Sequence, residues 1–192
     1  MTENAKPGAR VAAKEKSERG LVIVYTGDGK GKTTAALGMA LRAVGRGWRV
    51  LMIQFGKGAW HYAELDSSQR LAPDFEILPM GIGFFKILDD KHSEQEHRAA
   101  AQNALTFARE KMDAGEYDML ILDEVNGLVG AGLLDLTEIL QLLDMRPADL
   151  TLVLTGRNAP QEIIERADLV TEMREIKHPY QKGILAQKGI DY

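Results

Sequence analysis

The sequence predicts an α/β fold, a doubly wound, mostly parallel sheet with helices on both faces. Apolar runs of strand length, rich in β-branched residues, recur along the chain and alternate with stretches of helical periodicity. Runs that are apolar throughout are typical of parallel strands covered on both faces. The 192 residues suit a single domain. In such a sheet ligands bind at the carboxyl ends of the strands, so we expect the functional residues there.

The first three elements are predicted to form a βαβ unit. Residues 21–26 (LVIVYT) and 49–55 (RVLMIQF) are predicted strands. They bracket a helix over residues 32–44 that is apolar on nearly all sides and stops at Gly45. Two strands joined through a helix run parallel, so the sheet begins with a parallel pair.

The next strand, residues 75–78 (FEIL), precedes a loop and a long helix. That helix is predicted to begin at Ser93, because Glu96 follows three residues later and the two form a capping box. Apolar residues at helical spacing predict that one face packs on the sheet. They are Ala101, Leu105, Ala108 and Met112.

Two further strands and the helices around them complete the predicted sheet. In chain order they are a strand at 119–124 (MLILDE), helical stretches near Leu133 and over 136–145, a strand at 150–156 (LTLVLTG), a helix over 160–167 and an extended run at 169–176.

A glycine-rich loop follows the first predicted strand and contains the groups that hold a phosphate chain. Residues 26–34 (TGDGKGKTT) supply backbone N–H groups, glycines that allow close approach, a lysine and a hydroxyl for Mg²⁺ at the start of a helix. The usual pattern, GxxxxGK[ST], would place a glycine where this chain has Thr26. We predict an ATP site, with Lys32 and Thr33 in catalytic roles. Its predicted binding residues are Gly27, Asp28, Gly29, Lys30, Gly31, Lys32, Thr33 and Thr34.

Two acidic residues at the end of a later strand predict a metal site. Asp123 and Glu124 end the run at 119–124, at the same edge of the sheet as the glycine-rich loop. A carboxylate in that position reaches a metal ion directly or through water. We predict Thr33, Asp123 and Glu124 as ligands of Mg²⁺ (or Mn²⁺), with Glu124 also catalytic.

Residues after two other strands are candidates at the same edge, each with a second interpretation. Trp60 follows the second strand, where it binds the cofactor or is an ordinary core or surface aromatic. Arg157 follows the run at 150–156, where it holds a phosphate or carboxylate or is an ordinary exposed arginine. His92 and His97 stand among acidic residues, and a solvated polar helix start explains them better than a metal cluster.

Composition excludes several classes of function. Cysteine is absent, which removes disulfides, thiolate nucleophiles and iron–sulfur ligation. The net charge of −4 and pI near 5.6 argue against a broad nucleic-acid-binding surface. No apolar run approaches the roughly 18 residues that span a bilayer, and the first residues lack the apolar core of a secretory signal. We therefore expect a cytoplasmic protein without membrane or nucleic-acid partners.

Three segments are predicted. Residues 1–19 mix charges with Pro7 and Gly8 and are expected to form a flexible N-terminal arm. Residues 20–176 form the P-loop ATP-binding α/β domain. Residues 177–192 form a C-terminal tail packed near the active site.

These residues together resemble the ATP:corrinoid adenosyltransferase family of the CobA/CobO/BtuR type. The similarity runs from about Arg19 to Tyr192, and its pieces are specific as an ordered set. They are TGDGKGKTTAALGMALRAVGRG, VLMIQFGKGAW with Glu64 beyond it, LILDEVN, TGRNAP and the terminal KHPYQKGILAQKGIDY. The resemblance implies a P-loop NTPase-like, RecA-like fold.

The resemblance also implies a reaction. A Co(I) corrinoid, either cobalamin or a cobinamide or cobyrinate precursor, attacks the 5′ carbon of ATP, and triphosphate leaves. This agrees with the residues, among which no catalytic triad can be assembled, so the protein supplies positioning and electrostatics. The family implies a homodimer, an electron-donating reductase as partner and an N-terminal arm that covers the corrinoid site.

The resemblance departs from the family pattern at the residues expected to hold the corrinoid. The family usually has Gly-Phe-Thr-Trp where this chain has Gly83-Phe84-Phe85-Lys86. Phe84 and Phe85 are the predicted corrinoid-side residues. Two other functions stay open on the residues: a non-catalytic relative that binds ATP or a corrinoid, and a P-loop ATPase or kinase. Triphosphate, no product, or ADP distinguishes the three.

Overall fold

The structure is a computed structural model and describes residues 19–58, 61–86 and 90–192. In these residues, six strands form one sheet. They are β1 Val22–Thr26, β2 Val50–Gln54, β3 Phe75–Pro79, β4 Met119–Asp123, β5 Thr151–Thr155 and β6 Leu169–Glu172. Their order is β3-β2-β4-β5-β1-β6, and each neighbouring pair is parallel.

Helices connect the strands and cover both faces of the sheet. They are α1 Lys32–Val44, α2 Ala63–Leu71, α3 Glu94–Ala114, α4 Val125–Gly130, α5 Leu136–Met145 and α6 Gln161–Arg166, followed by a 3₁₀ turn at Pro179–Lys182. Helix α1 and the partly buried side of α2 pack on one face, and α3, α5 and α6 pack on the other. The predicted doubly wound α/β fold is confirmed.

Two apolar cores follow from the alternation of side chains along the strands. In β2, Leu51 and Ile53 belong to the core beneath α3 and α5, whereas Val50 and Met52 belong to the core beneath α1. The strands β1, β2, β4 and β5 are buried along their whole length. These are the four central strands, which are therefore covered on both faces, whereas the edge strand β6 is exposed.

Several element boundaries differ from the predictions. Helix α2 has no predicted counterpart, and the helix predicted near Leu133 is α4, which ends at Gly130. Strand β6 stops at Glu172 instead of running to residue 176, because Glu172 is paired with Thr26, the last residue of its partner β1. The predicted N-terminal arm lies outside the described residues, apart from Arg19.

The capping box predicted for α3 is present. The Ser93 hydroxyl accepts a hydrogen bond from the Glu96 backbone N–H, and the Glu96 carboxylate accepts one from the Ser93 backbone N–H. Within the described ranges, none of the helices combines the length and the apolar character that crossing a membrane requires.

Candidate active site

The glycine-rich loop packs directly against the backbone that leaves β6. A Cβ atom at Gly27 would lie 2.4 Å from the Met173 carbonyl oxygen, and one at Gly29 would lie 2.7 Å from the Arg174 carbonyl carbon. The Gly29 N–H donates to the Met173 carbonyl at 2.7 Å. Gly27 also has a φ of 93°, in the left-handed region. Close approach therefore requires glycine at both positions.

The absence of the usual first glycine has a structural reason. Thr26 is still part of β1, where it pairs with Glu172 in ordinary strand geometry. Its hydroxyl accepts a hydrogen bond from the Ala159 N–H at 3.1 Å, which ties the loop after β5 to the end of β1. The sharp turn comes one residue later, at Gly27, so a side chain is tolerated at position 26.

Lys32, the first residue of α1, points back into the loop. Its Nζ donates to the carbonyl oxygens of Gly27 and Gly29 at 2.8 and 2.9 Å. Burial lowers the pKa of the Lys32 ammonium, while the nearby Glu124 carboxylate acts in the opposite direction. These carbonyl oxygens are acceptors, as phosphate oxygens would be, so the ammonium is directed at the centre of the loop.

Asp123, at the end of β4, is a fully buried carboxylate beside the loop. The hydroxyls of Thr33 and Thr155 both donate to its Oδ1, at 2.8 and 2.7 Å. Its Oδ2 has no hydrogen-bond partner among the described groups. Burial raises the pKa of Asp123, and the two hydroxyls oppose that shift. An unpartnered carboxylate oxygen in this position is suited to a ligand or cation.

Glu124 follows Asp123 in a left-handed conformation, with a φ of 66°, and forms the N-cap of α4. Its backbone N–H donates to the Thr155 hydroxyl at 2.9 Å. Burial raises the pKa of its carboxyl, and the charge of Asp123 raises it further. The strand predicted to include Glu124 ends one residue earlier, and that turn brings the second carboxylate to the edge of the sheet.

A buried ion pair beside the loop was not predicted as a unit. Lys57, after β2, donates to the carboxylate of Glu64 in α2, which also accepts from Gln54 at 3.3 Å. Burial favours a higher pKa for Glu64, but hydrogen bonds, led by the one from Lys57, outweigh it and the pKa is lowered. The Lys57 Nζ also lies 4.2 Å from the centre of the Tyr62 ring. The sequence places Lys57 at this edge, but spacing does not identify its partner.

Two adjoining clefts open above the loop, with volumes of about 470 and 530 Å³. Lys30, Lys32, Phe84 and Glu124 line both. The first is also lined by Gly31, Thr33, Thr34, Lys57, Tyr62, Glu64 and residues 189–192, and the second by Asp28, Gly29, Arg157, Glu175, His178 and Tyr180. The glycine-rich loop and the acidic end of β4 therefore lie where the two clefts meet.

The C-terminal residues contact the loop through an ion pair. Asp191 accepts a hydrogen bond from Lys30, and this bond lowers the pKa of the Asp191 carboxyl. Arg157, by contrast, donates only to the Asp28 carbonyl, at 3.3 Å, and its side chain is exposed. The four cations near the loop all donate to protein oxygens; they are Lys30, Lys32, Lys57 and Arg157.

The two predicted phenylalanines point to different places. Phe84 lines both clefts, whereas the Phe85 ring contacts the edge of His97, with 5.2 Å between ring centres. His97 is 4% exposed, so the interpretation of a solvated helix start is wrong for it. Its Nε2 hydrogen-bonds to Asp90. Trp60 lies outside the described residues.

The family model for "ATP:corrinoid adenosyltransferase BtuR/CobO/CobP" matches residues 18–192. Corrinoid adenosyltransferase of Escherichia coli K12 is 39% identical over 97% of this chain and 92% of its own length. Corrinoid adenosyltransferase CobA of Salmonella typhimurium is 37% identical over 96% and 91%, and the Pseudomonas aeruginosa protein is 37% identical over 94% and 87%. With a P-loop facing a buried acidic strand end, the chain belongs to the ATP:corrinoid adenosyltransferase family.

Proposed function

We propose that the protein transfers the 5′-deoxyadenosyl group of ATP to the Co(I) centre of a corrinoid, either cobalamin or a cobinamide or cobyrinate precursor. The cobalt electron pair forms a bond to C5′, the C5′–O bond breaks, and triphosphate leaves with the electron pair of the broken C5′–O bond. The observation that carries the proposal is the pair of clefts joined at Lys32, Phe84 and Glu124, in a chain of this family. One cleft can hold a nucleotide while the second substrate approaches from the other.

We propose that the loop residues 27–34 bind the triphosphate. Lys32 exchanges its two carbonyl acceptors for phosphate oxygens, and the N-terminus of α1 adds its positive dipole end. Lys30 and Arg157 lie at the rims and are held only by exposed contacts, so they can turn to the phosphates as well. Because charge accumulates on the leaving triphosphate, these cations favour the transition state over ATP.

The residues present fit a Mg²⁺ ion. Thr33 gives its hydroxyl hydrogen to Asp123, which leaves lone pairs of its oxygen free for a metal, and Asp123 keeps one unpartnered oxygen. Hard oxygen donors of this kind are those that Mg²⁺ prefers. We propose that Thr33, Asp123 and Glu124 hold Mg²⁺ (or Mn²⁺) directly or through water, where it neutralises triphosphate charge.

We propose that Phe84 contacts the corrinoid, because its ring is 42% exposed at the junction of the clefts. Phe85 stays a prediction as a corrinoid-side residue, and Trp60 stays a prediction as a cofactor-binding residue. No protein nucleophile or general base is required, since the cobalt is the nucleophile and no proton is moved. The protein's contribution is alignment of C5′ with its attacker and stabilisation of the leaving group.

The assembly is proposed to be a cytoplasmic homodimer that receives electrons from a reductase and has no membrane or nucleic-acid partner. All four residues of the edge strand β6 are exposed, including Leu169 and Val170, which suits a surface covered by a second copy. The net charge of −4 supports the absence of a nucleic-acid partner.

Product identity tests the proposed function. The purified protein would be mixed anaerobically with Mg-ATP and chemically reduced cobalamin or cobinamide, with the cobalt–carbon product followed by absorbance and triphosphate by chromatography. We expect both products in equal amounts, and we expect Lys32→Met to abolish them while Lys111→Met, a matched change on α3, does not. ADP as the product would mean a kinase or ATPase. Binding of ATP without any product would mean a non-catalytic relative.

A further inference from the structure

A polar cluster lies behind the cleft, between Phe84 and the first turn of α3. Its members are Phe85, Lys86, Asp90, His92 and His97. None of the five lines either of the two clefts that meet at Phe84. Two of them, Phe85 and Lys86, stand where the family usually has threonine and tryptophan, so the cluster belongs to the part of the chain that departs from the family pattern.

Asp90 is the centre of this cluster. Its carboxylate accepts from the backbone N–H groups of Lys86 and His92, each at 3.0 Å, and from His97 Nε2 at 3.0 Å. Hydrogen bonding from His97, followed by that from the His92 backbone, lowers the pKa of Asp90 to about 2. The carboxylate is therefore ionised at any working pH, and its three donors converge on a fixed negative charge.

The backbone at Lys86 needs such a partner. Lys86 has a φ of 59°, in the left-handed region, where a residue with a side chain is strained. The hydrogen bond from its N–H to Asp90 offsets this cost. The preceding residue is fixed as well, because the Phe85 ring lies between the His97 ring and the Lys86 ammonium, which is 4.7 Å from the ring centre.

A second anchor holds the same segment on the other side of Phe84. The N–H groups of Met80 and Gly81 both donate to the Gln54 carbonyl at 3.0 Å. Gly81 is packed so closely on β2 that a Cβ atom there would lie 2.2 Å from the Phe55 carbonyl oxygen. Phe84 therefore stands between a backbone anchor at the end of β2 and the Asp90 cluster at the start of α3. The contacts to the Gln54 carbonyl fix the segment where it leaves the sheet, and the contacts to Asp90 fix it near the start of α3.

We propose that Asp90 and His97 are positioning residues that hold the Phe84 ring at the junction of the two clefts for the incoming corrinoid. The proposal rests on the proposed function. It assigns to this pair the task of fixing the ring in a chain that has Lys86, and not a tryptophan, at position 86. His97 acts on the corrinoid only through Asp90 and Phe85, and neither His97 nor Asp90 touches a substrate.

Steady-state kinetics on Asp90→Ala test the proposal, with Glu94→Gln as the matched control. Glu94 is an exposed acid in the first turn of α3 that pairs with Arg98. For Asp90→Ala we expect KM for the corrinoid to rise roughly tenfold or more, as for other losses of alignment, with KM for ATP unchanged. His97→Ala should behave like Asp90→Ala. His97→Gln, which keeps a donor toward Asp90, should recover part of the loss.

A purely structural role predicts a different result. If Asp90→Ala lowers the thermal midpoint but leaves both KM values and kcat at the wild-type level, the proposal is overturned. An equal rise in KM for ATP would also overturn it, because the defect would then extend to the phosphate loop.

A measurement independent of turnover separates this proposal from the proposed function. Hydrogen exchange reports the Lys86 amide, which donates to Asp90. We expect that amide to lose protection in Asp90→Ala and to keep it in Glu94→Gln. If the wild-type protein makes no cobalt–carbon product, the proposed function is wrong. Unchanged protection of the Lys86 amide in Asp90→Ala would show that the positioning role is wrong as well.

Discussion

Asp123 is a buried acid that the fold stabilises only in part, since its Oδ2 has no hydrogen-bond partner in the part of the chain that the structure describes. Its folded pKa is raised by burial above the ordinary value of 3.8. The folded chain therefore binds this proton more tightly than the unfolded chain does, and stability falls as pH rises from 3.8 through the raised pKa. At neutral pH the charge lowers stability, and the proposed metal site requires that charge.

Replacing that acid should separate stability from activity. In Asp123→Asn the acceptor for Thr33 and Thr155 is kept and the buried charge is removed. We expect a higher free energy of unfolding, read as a higher Tm, at pH 8 with EDTA and without nucleotide. The gain should shrink toward pH 4, and transfer should be lost. A Tm below wild type at pH 8 would contradict this account.

The Lys57–Glu64 pair affects the pH dependence of stability in the opposite direction to Asp123. The folded pKa of Glu64 is lowered, so the pair contributes stability above the ordinary value of 4.5 and loses it as pH falls through the folded pKa. The side chains are only 10% and 14% exposed, which makes this a pair that is costly to break on one side.

A double-mutant cycle should show that coupling. Lys57→Met leaves the Glu64 carboxylate buried without its ammonium, and we expect a loss of about 3 kcal/mol in the free energy of unfolding. Lys57→Met/Glu64→Gln should lose less than Lys57→Met alone, because no charge is then stranded. Urea denaturation at pH 7 measures both. Additive losses would mean that the two side chains do not interact.

Among single residues, the sequence predicts those that belong to a motif with a fixed order along the chain. Lys32, Thr33 and Asp123 follow from a strand, a glycine-rich loop and a later acidic strand end. The Glu64 partner of Lys57 and the Asp191 partner of Lys30 could not be predicted, because they depend on where loops cross after folding. The direction of Phe85 was equally inaccessible, since it depends on a buried histidine in α3.

Among the elements, α3 has the most completely specified beginning. Ser93 and Glu96 satisfy each other's backbone groups, and the helix then runs 21 residues to Ala114. Apolar residues at helical spacing bury one face, as the pattern predicted. The long helix therefore contributes to the core on one face of the sheet and supplies, in its first turn, His97, which holds Asp90.

Removing the cap should cost stability without changing ATP binding. For Ser93→Ala we expect a loss of about 1 kcal/mol by urea denaturation, with Kd for ATP unchanged, because the loop at residues 27–34 is anchored elsewhere. Ser67→Ala is a suitable control, since that hydroxyl donates to the Ala63 carbonyl in an exposed helix turn. A loss equal to that of the control would show that the capping box is not a stabilising feature.

Helix α2 shows why some elements escape prediction. Its sequence, AELDSSQRL, has two leucines in nine residues and buries only Ser68 fully. The pattern of apolar residues that predicts a helix is therefore absent. The element forms because it connects two neighbouring parallel strands, β2 and β3, which require a crossover. That constraint comes from the sheet as a whole and not from the nine residues.

In the whole molecule, the proposed ATP site connects elements that pack on both faces of the sheet. The loop links β1 to α1, Thr33 contacts β4 through Asp123, and Thr155 brings in β5. A ligand that bridges these elements should stabilise the complete sheet rather than one loop. The sheet order and the doubly wound arrangement follow from alternating strands and helices, whereas the neighbours of each strand could not be predicted from single elements.

Mg-ATP should therefore raise the unfolding temperature of the entire domain in one transition. At ATP about 100-fold above Kd we expect about 2.7 kcal/mol, which corresponds to roughly 5–10 °C for a chain of this size. Addition of EDTA should remove most of the shift, and Asp123→Asn should show little of it. Calorimetry without corrinoid measures this. A shift of equal size with and without Mg²⁺ would argue against the metal site.

The position of β1 inside the sheet has a consequence for protein synthesis. Val22 is paired with Leu152, and Ile23 with Leu169, so both neighbours of the strand that leads into the loop are made late. At ~5–20 residues per second the ribosome needs on the order of ten seconds to supply them. During that interval the apolar run 21–26 has no sheet to join. The nascent chain thus carries an exposed, aggregation-prone strand, which makes it a natural client for a chaperone until the end of synthesis.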